Sequence, residues 1–234
     1  MTRVAIMQPT YLPWMGYFGL MQSVDLFVLL DCVQFAKRSW QQRNQIKTPE
    51  GAAWLTVPVF STGKREQLIT DVEIDRTRKF PASHEQMLTS SYAKAPFFDD
   101  YAPPLLSVLA GAEPHLAGLT IGLIERLRAS LGVATPMRRA SEFDISGANA
   151  ELLAVICEQA GATEYVSPPG SKVYLDESDA FRRRGLPVRY FSFEHPTYPQ
   201  RFGDFLPYLS VVDVLFNCGP QSLALIESGC AVGT

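Results

Sequence analysis

The chain has 234 residues, of which 47% are hydrophobic and 19% charged, and its formal net charge is −3. That balance excludes a disordered chain, gives enough apolar surface for one large domain or two small ones, and argues against bulk nucleic-acid binding, leaving room only for a local basic patch. No apolar run reaches the roughly 20 residues that span a bilayer. The start has one arginine, a short apolar run and then prolines, which is not the pattern of a signal peptide, so the expected location is cytoplasmic with no membrane span.

Residues 4–7 are a short apolar run that predicts a buried strand. It leads into Gln8-Pro9-Thr10-Tyr11-Leu12-Pro13-Trp14-Met15-Gly16-Tyr17-Phe18. A core strand has no use for that mixture of amide, hydroxyl and aromatic groups around two prolines and a glycine. A loop that holds a polar ligand at a strand end does. Residues 17–23, starting nearer Pro13, predict a crossover helix, and residues 25–30 a second strand that ends in Asp31-Cys32. A basic loop follows, with four cations between Lys37 and Lys47. Residues 54–59 are a third apolar run, 61–66 an exposed polar loop, and 68–74 alternate as a strand does.

From residue 80 to 131 the pattern turns helical, punctuated by Ala95-Pro96 and Pro103-Pro104. Leu116, Leu119, Leu123, Leu127 and Leu131 recur at helical spacing, and Gly132 is placed to cap that helix. Residues 136–143 predict a strand, 149–159 a helix ended by Gly161, 163–167 a strand, 179–184 a short helix and 188–193 a strand; residues 205–216 have helical spacing. This alternation predicts an α/β fold, a mainly parallel sheet flanked by helices, with the strands at 4–7, 25–30, 163–167 and 188–193 in one sheet. The expected organisation is a single domain over residues 1–234, with residues 75–135 a helical insertion or cap.

Lys37, Arg38, Arg43 and Lys47 have the chemistry to hold phosphate, Arg43-Asn44 foremost; the alternative is a solvated basic loop. Gln8, Tyr11, Trp14 and Tyr17 fit a sugar or nucleoside pocket, with the rings packing and the amide reading hydroxyls; the alternative is that the aromatics roof the core. Asp31 at a strand end is a general base, a metal ligand or a turn residue. Of the three histidines, His84 and His195 are candidates for proton transfer, His195 favoured by its loop position, and His115 reads as structural or exposed. Ser171 and Lys172 could cradle an anion, although Pro168 and Pro169 remove two backbone donors and the P-loop spacing is absent. Cys32, Cys157, Cys218 and Cys230 lie far apart, without the spacing of a metal site or redox pair.

The segments QPTYLPWMGYF, VDLFVLLDCVQFAKRSWQQRNQIKTPEGAAWLTVPV, KAPFF, FEHPTYPQ and FGDFLPYLSVVDVLFNCGP, in that order, resemble the WbqC-like protein family of bacteria. The family pattern includes both His84 and His195. It has a second aspartate at the position of Cys32, Trp-x-Asn-Arg-Asn where this chain has Trp40-Gln41-Gln42-Arg43-Asn44, and a glycine-rich turn where this chain has residues 167–172. The missing carboxylate puts a two-carboxylate metal site in doubt, and no metal ligand is assigned. The opening strand, turn, helix and strand are also similar to nucleotidylyltransferase-like (Rossmann-like) enzymes, but Trp14-Met15-Gly16-Tyr17 replaces their His-x-Gly-His, so only the architecture carries over. The resemblance implies an accessory enzyme of surface-polysaccharide (O-antigen, lipopolysaccharide) biosynthesis that modifies a nucleotide-linked sugar, in the favoured form by aminoacyl or acyl transfer to an amino sugar. ATP with Mg²⁺ is the co-substrate that ATP-dependent amide formation would use, and the partner is a small phosphorylated ligand. The rival readings are nucleotidyl transfer and a non-catalytic sugar-nucleotide-binding subunit.

Overall fold

The computed structural model describes residues 1–64 and 66–233. The chain runs through β1 (Arg3–Met7), α1 (Met15–Gln22) and β2 (Leu26–Leu29), then an antiparallel hairpin of β3 (Arg43–Thr48) and β4 (Gly51–Thr56). Three helices follow, α2 (Ala82–Tyr92), α3 (Phe98–Ala110) and α4 (Leu116–Leu131), before β5 (Met137–Arg139), α5 (Asn149–Gln159) and β6 (Glu164–Ser167). The short helices α6 (Lys172–Asp176) and α7 (Ala180–Arg183) lead to β7 (Val188–Phe193), α8 (Val212–Cys218), α9 (Ser222–Ser228) and β8 (Cys230–Gly233).

The main sheet has the order β5-β2-β1-β6-β7-β8. All its pairs are parallel except β7 with β8 at one edge. Numbered by their appearance in the chain, its strands read 3-2-1-4-5-6, the Rossmann order. Side chains alternate between two cores. Ala5, Phe27, Leu29, Val166 and Phe191 face α1, α3, α4, α8 and α9. Val4, Ile6, Val28 and Tyr165 face α5, α6 and α7. With both faces covered at the centre of the sheet, residues 4–7 of β1 and 26–29 of β2 are apolar at every position, which is why they read as continuous runs.

The expected parallel sheet and flanking helices are present, and Gly132 (φ 77°) closes α4 in the left-handed conformation that favours glycine. Several local expectations differ. Residues 43–48 form β3 instead of belonging to the basic loop, because Ile46 and Lys47 are buried. Residues 68–74 make only isolated bridges around a 3₁₀ turn at Ile69–Asp71, since Ile69, Val72 and Ile74 are anchored separately in the core. The strand expected over 136–143 stops at Arg139, where the chain turns to present Ser141 to Asp31. Residues 205–211 are not helical: the Ser210 and Val211 amides donate to the carbonyls of Gln45 and Pro13, so α8 begins at Val212. Helix α3 runs through Pro103 and Pro104. Neither α9 nor β8 has a periodicity long enough to predict it.

A buried polar chain joins three of these elements. The Lys47 amide of β3 donates to the Tyr92 hydroxyl (2.9 Å), which donates to Asp213 Oδ2 of α8 (2.7 Å); the Tyr198 hydroxyl donates to Oδ1 (3.0 Å). Burial pushes the Asp213 carboxyl above its ordinary range, opposed by the two tyrosine hydrogen bonds. Removing the acceptor strands both hydroxyls in the core. Asp213→Ala is therefore expected to cost roughly 3–5 kcal/mol, the scale for breaking a buried network, whereas Tyr92→Phe should cost about 1–2 kcal/mol. Urea denaturation of the two variants checks the ranking.

Candidate functional site

Helix α1 belongs to one core and α6–α7 to the other, so the segments leaving β1 and β6 diverge to opposite faces of the sheet. A crevice opens between the carboxyl ends of those neighbouring strands, the switch point at which open α/β sheets bind ligands. Two adjoining cavities occupy it. One, of about 280 Å³, lies between Met7, Gln8 and Thr10 after β1, Pro168 and Ser171 after β6, and Ser39, Trp40 and Tyr174. The other, of about 330 Å³, is walled by Met7, Thr10, Trp14, Tyr17, Trp40, Asn44 and Tyr208. They share Met7, Thr10 and Trp40, and neither lining contains a charged side chain.

The walls are fixed by short-range chemistry. The Trp14 ring folds back over α1, so that a Cβ on Gly16 would lie 2.3 Å from its Cη2; only glycine leaves the ring that seat. Its edge meets Phe193 (5.2 Å between centroids) and its flank Tyr208 (5.6 Å). The Tyr17 hydroxyl donates to the Gln8 carbonyl (3.2 Å), and Gln41 Nε2 donates to Gln8 Oε1 (2.8 Å). Asn44 Nδ2 donates to the Leu12 carbonyl (2.6 Å). Leu12 (φ 43°) and Tyr208 (φ 61°) are both in the left-handed region, a strained state for non-glycine residues that the surrounding contacts hold in place. Trp40, 51% exposed, packs on Trp54 (5.4 Å), and the Arg43 guanidinium covers the Trp54 ring (4.1 Å).

The structure thus gathers Gln8, Trp14, Tyr17, Asn44 and Ser171 around one cleft. The other candidate residues lie elsewhere. Tyr11 is buried beneath the cleft, its hydroxyl 2.7 Å from His84 Nδ1. Asp31 is buried, and its carboxylate accepts the Ser141 amide (3.0 Å) and hydroxyl (2.8 Å). The Lys47 ammonium is buried and donates to Gln200 Oε1 (3.1 Å) and the Asp204 carbonyl. Lys37 and Arg38 face a separate cavity, and Lys172 is exposed over the Tyr190 ring. Burial and the Asp31 charge push the Cys32 thiol up.

His195 sits among Phe193, Tyr198, Phe205 and Tyr208. Its Nδ1 is 3.0 Å from the Pro196 carbonyl. A carbonyl only accepts, so Nδ1 carries the proton; Nε2 is then a bare lone pair, buried and without a partner among the described residues. Burial lowers the pKa of the ring, keeping it neutral near pH 7. Thr10, Trp40, Tyr174 and Tyr208 are wall residues that sequence reasoning did not single out as ligand contacts. Trp40 inside a polar stretch was the one available signal. Among the described residues, no three His, Cys, Asp or Glu side chains group as a metal site.

The WbqC-like protein family model matches residues 8–225, which contain every wall residue of the cleft except Ile6 and Met7. The chain belongs to the WbqC-like protein family. This WbqC-like chain is also 36% identical over 224 residues to "Uncharacterized protein Rv1507c" of Mycobacterium tuberculosis (strain ATCC 25618 / H37Rv), covering 95% of this chain and 96% of that relative. No solved structure matches it. Among the described residues of this family member, no helix is long and apolar enough to cross a membrane.

The Tyr11–His84 pair carries a pH signature. Burial lowers the His84 pKa from 6.5 to about 4, against a smaller upward influence from the Thr56 backbone. Below pH 6.5 the unfolded chain takes up a proton that the folded chain refuses. Stability from this residue is therefore intact above pH 6.5 and falls progressively towards pH 4, by roughly 3 kcal/mol in all. Urea denaturation from pH 7 to 4 should show a steeper loss for wild type than for His84→Gln; parallel curves would mean that the buried imidazole is not the cause.

Proposed function

We propose that this protein is a transferase that binds a nucleotide-linked amino sugar in the switch-point cleft and acylates or aminoacylates its amine, in surface-polysaccharide biosynthesis. The supporting observation is the lining itself: aromatic walls from Trp14, Tyr17, Trp40 and Tyr208, with uncharged polar groups from Gln8, Thr10, Asn44 and Ser171. Rings of this kind pack against sugar or base faces, while amides and hydroxyls read a sugar's hydroxyls. Membership in the WbqC-like family accords with that substrate class.

In the proposed step, the sugar amine forms a C–N bond to the carbonyl carbon of an activated acyl group. The activating group leaves with the electrons of its bond to that carbon, and a base takes the amine proton. His195 is the base we assign, because its lone pair at Nε2 is unpaired and Tyr208, a cleft wall, is its neighbour; a shift of the Tyr208 ring would connect the two. Asp31, Tyr11, His84 and Lys47 are buried in hydrogen bonds away from the cleft, and Arg43 covers Trp54, which packs on the wall residue Trp40. The cleft lining brings no carboxylate, so its donor set does not fit a resident Mg²⁺.

Incubation with an activated acyl or aminoacyl donor and a panel of nucleotide-linked amino sugars should yield a product whose mass rises by the transferred group. Trp14→Ala and Trp40→Ala should each weaken sugar-nucleotide binding by about 1–3 kcal/mol, the scale for losing one aromatic stacking partner. His195→Gln should keep binding and lose turnover. The wild-type rate should fall on acidification, because burial places the imidazole's pKa below its ordinary value and only the neutral ring accepts a proton. Tight binding with no product across the panel would favour a non-catalytic binding subunit.

A further inference from the structure

The segment 36–42 has two sides. Ser39 and Trp40 wall the aromatic cleft, while Lys37 and Arg38 face a separate, open cavity of about 570 Å³ that is also lined by the end of β4 and the start of α2. Arg78, Lys79, Gln42 and Ser83 also line it. Four cations thus surround one cavity in a chain whose net charge is −3. One carboxylate is paired with them, Asp75 with Arg78 at 3.3 Å, whereas Lys37, Arg38 and Lys79 make no ion pair with any described residue.

The arrangement is built into the fold. Gln42 is 7% exposed, and its Oε1 accepts the Arg38 amide (3.0 Å) while its Nε2 donates to the Val57 carbonyl (3.1 Å). That pillar holds Arg38 in the left-handed conformation (φ 58°), a costly state for an arginine. Grouped cations repel one another unless an anion joins them. An arginine fork with three point-charge or fork neighbours matches a ligand with several anionic oxygens, and a single carboxylate would leave most of these donors unused. We infer that this cavity, distinct from the aromatic cleft, binds a diphosphate group. The inference does not depend on what the aromatic cleft binds.

Calorimetric titration of the full chain with inorganic pyrophosphate tests it. The wild type should bind one equivalent, with affinity falling as salt is added. Arg38→Ala, and separately the double variant Lys37→Ala with Lys79→Ala, should bind about tenfold more weakly or worse, the effect of losing charge-assisted hydrogen bonds. Arg38→Lys should recover only part of the loss, since an ammonium lacks the planar fork. Trp14→Ala, which alters only the aromatic cleft, should leave pyrophosphate binding unchanged. Thermal melting confirms that these surface variants fold. An arm with uridine diphosphate identifies the source of the group: tighter binding than pyrophosphate assigns it to a nucleotide, and equal binding to a free diphosphate. No binding of pyrophosphate, or equal affinity in wild type and the cation variants, would overturn the inference.

Discussion

The structure depends on β1 being paired on both edges by parallel strands while its two faces are buried in different cores. Val4 pairs with Leu26 on one side and with Tyr165 on the other, and Ala5 and Ile6 point into opposite cores. Beyond Arg3 at its start the strand is therefore apolar, and polar chemistry is displaced to its carboxyl end. There the chain leaves for one face while the chain after β6 leaves for the other, and the gap between them has to be lined by whatever follows each strand. The sequence from Gln8 to Tyr17 is that lining.

Its shape is held by hydrogen bonds and packing that also hold the strained backbone at Leu12, not by charge. Asn44 fixes Leu12, Gln41 fixes Gln8, and glycine at position 16 seats Trp14. Each bond comes from a residue far along the chain, so the β3 hairpin and the 36–42 segment act as a second wall preorganised against the first. The aromatic cleft is lined without charge, whereas cations gather at the cavity on the other side of the same segment. A neutral cleft grips rings by packing; a basic cavity grips anions by charge and depends more on ionic strength.

Much of this was legible in the sequence, and the limits have physical causes. The four short apolar runs and the leucine spacing of α4 report burial directly, so the parallel sheet and the long helix could be read from them. The β3 strand could not: its residues Arg43 to Thr48 look like a basic loop, because Lys47 is buried through bonds to residues more than 150 positions away. Residues 205–211 show helical spacing but are held by backbone bonds to Gln45 and Pro13, which no local pattern encodes. At the site, the motif around Trp14 pointed to the cleft, whereas the partnership of Trp40 and Tyr208 with it arises only when three distant segments meet. Lys37 and Trp40 are three residues apart and look like one cluster in the sequence; the backbone turn at Arg38 sends them to different cavities.

The most direct measurement is a crystal structure of the protein with a nucleotide-linked amino sugar. The sugar or base ring is expected between Trp14, Trp40 and Tyr208, with Gln8 or Asn44 within hydrogen-bonding distance. A ligand seated instead in another cavity, such as the one lined by Phe97, Tyr198 and Cys218, with the switch-point cleft left empty, would contradict the assignment of that cleft as the substrate site.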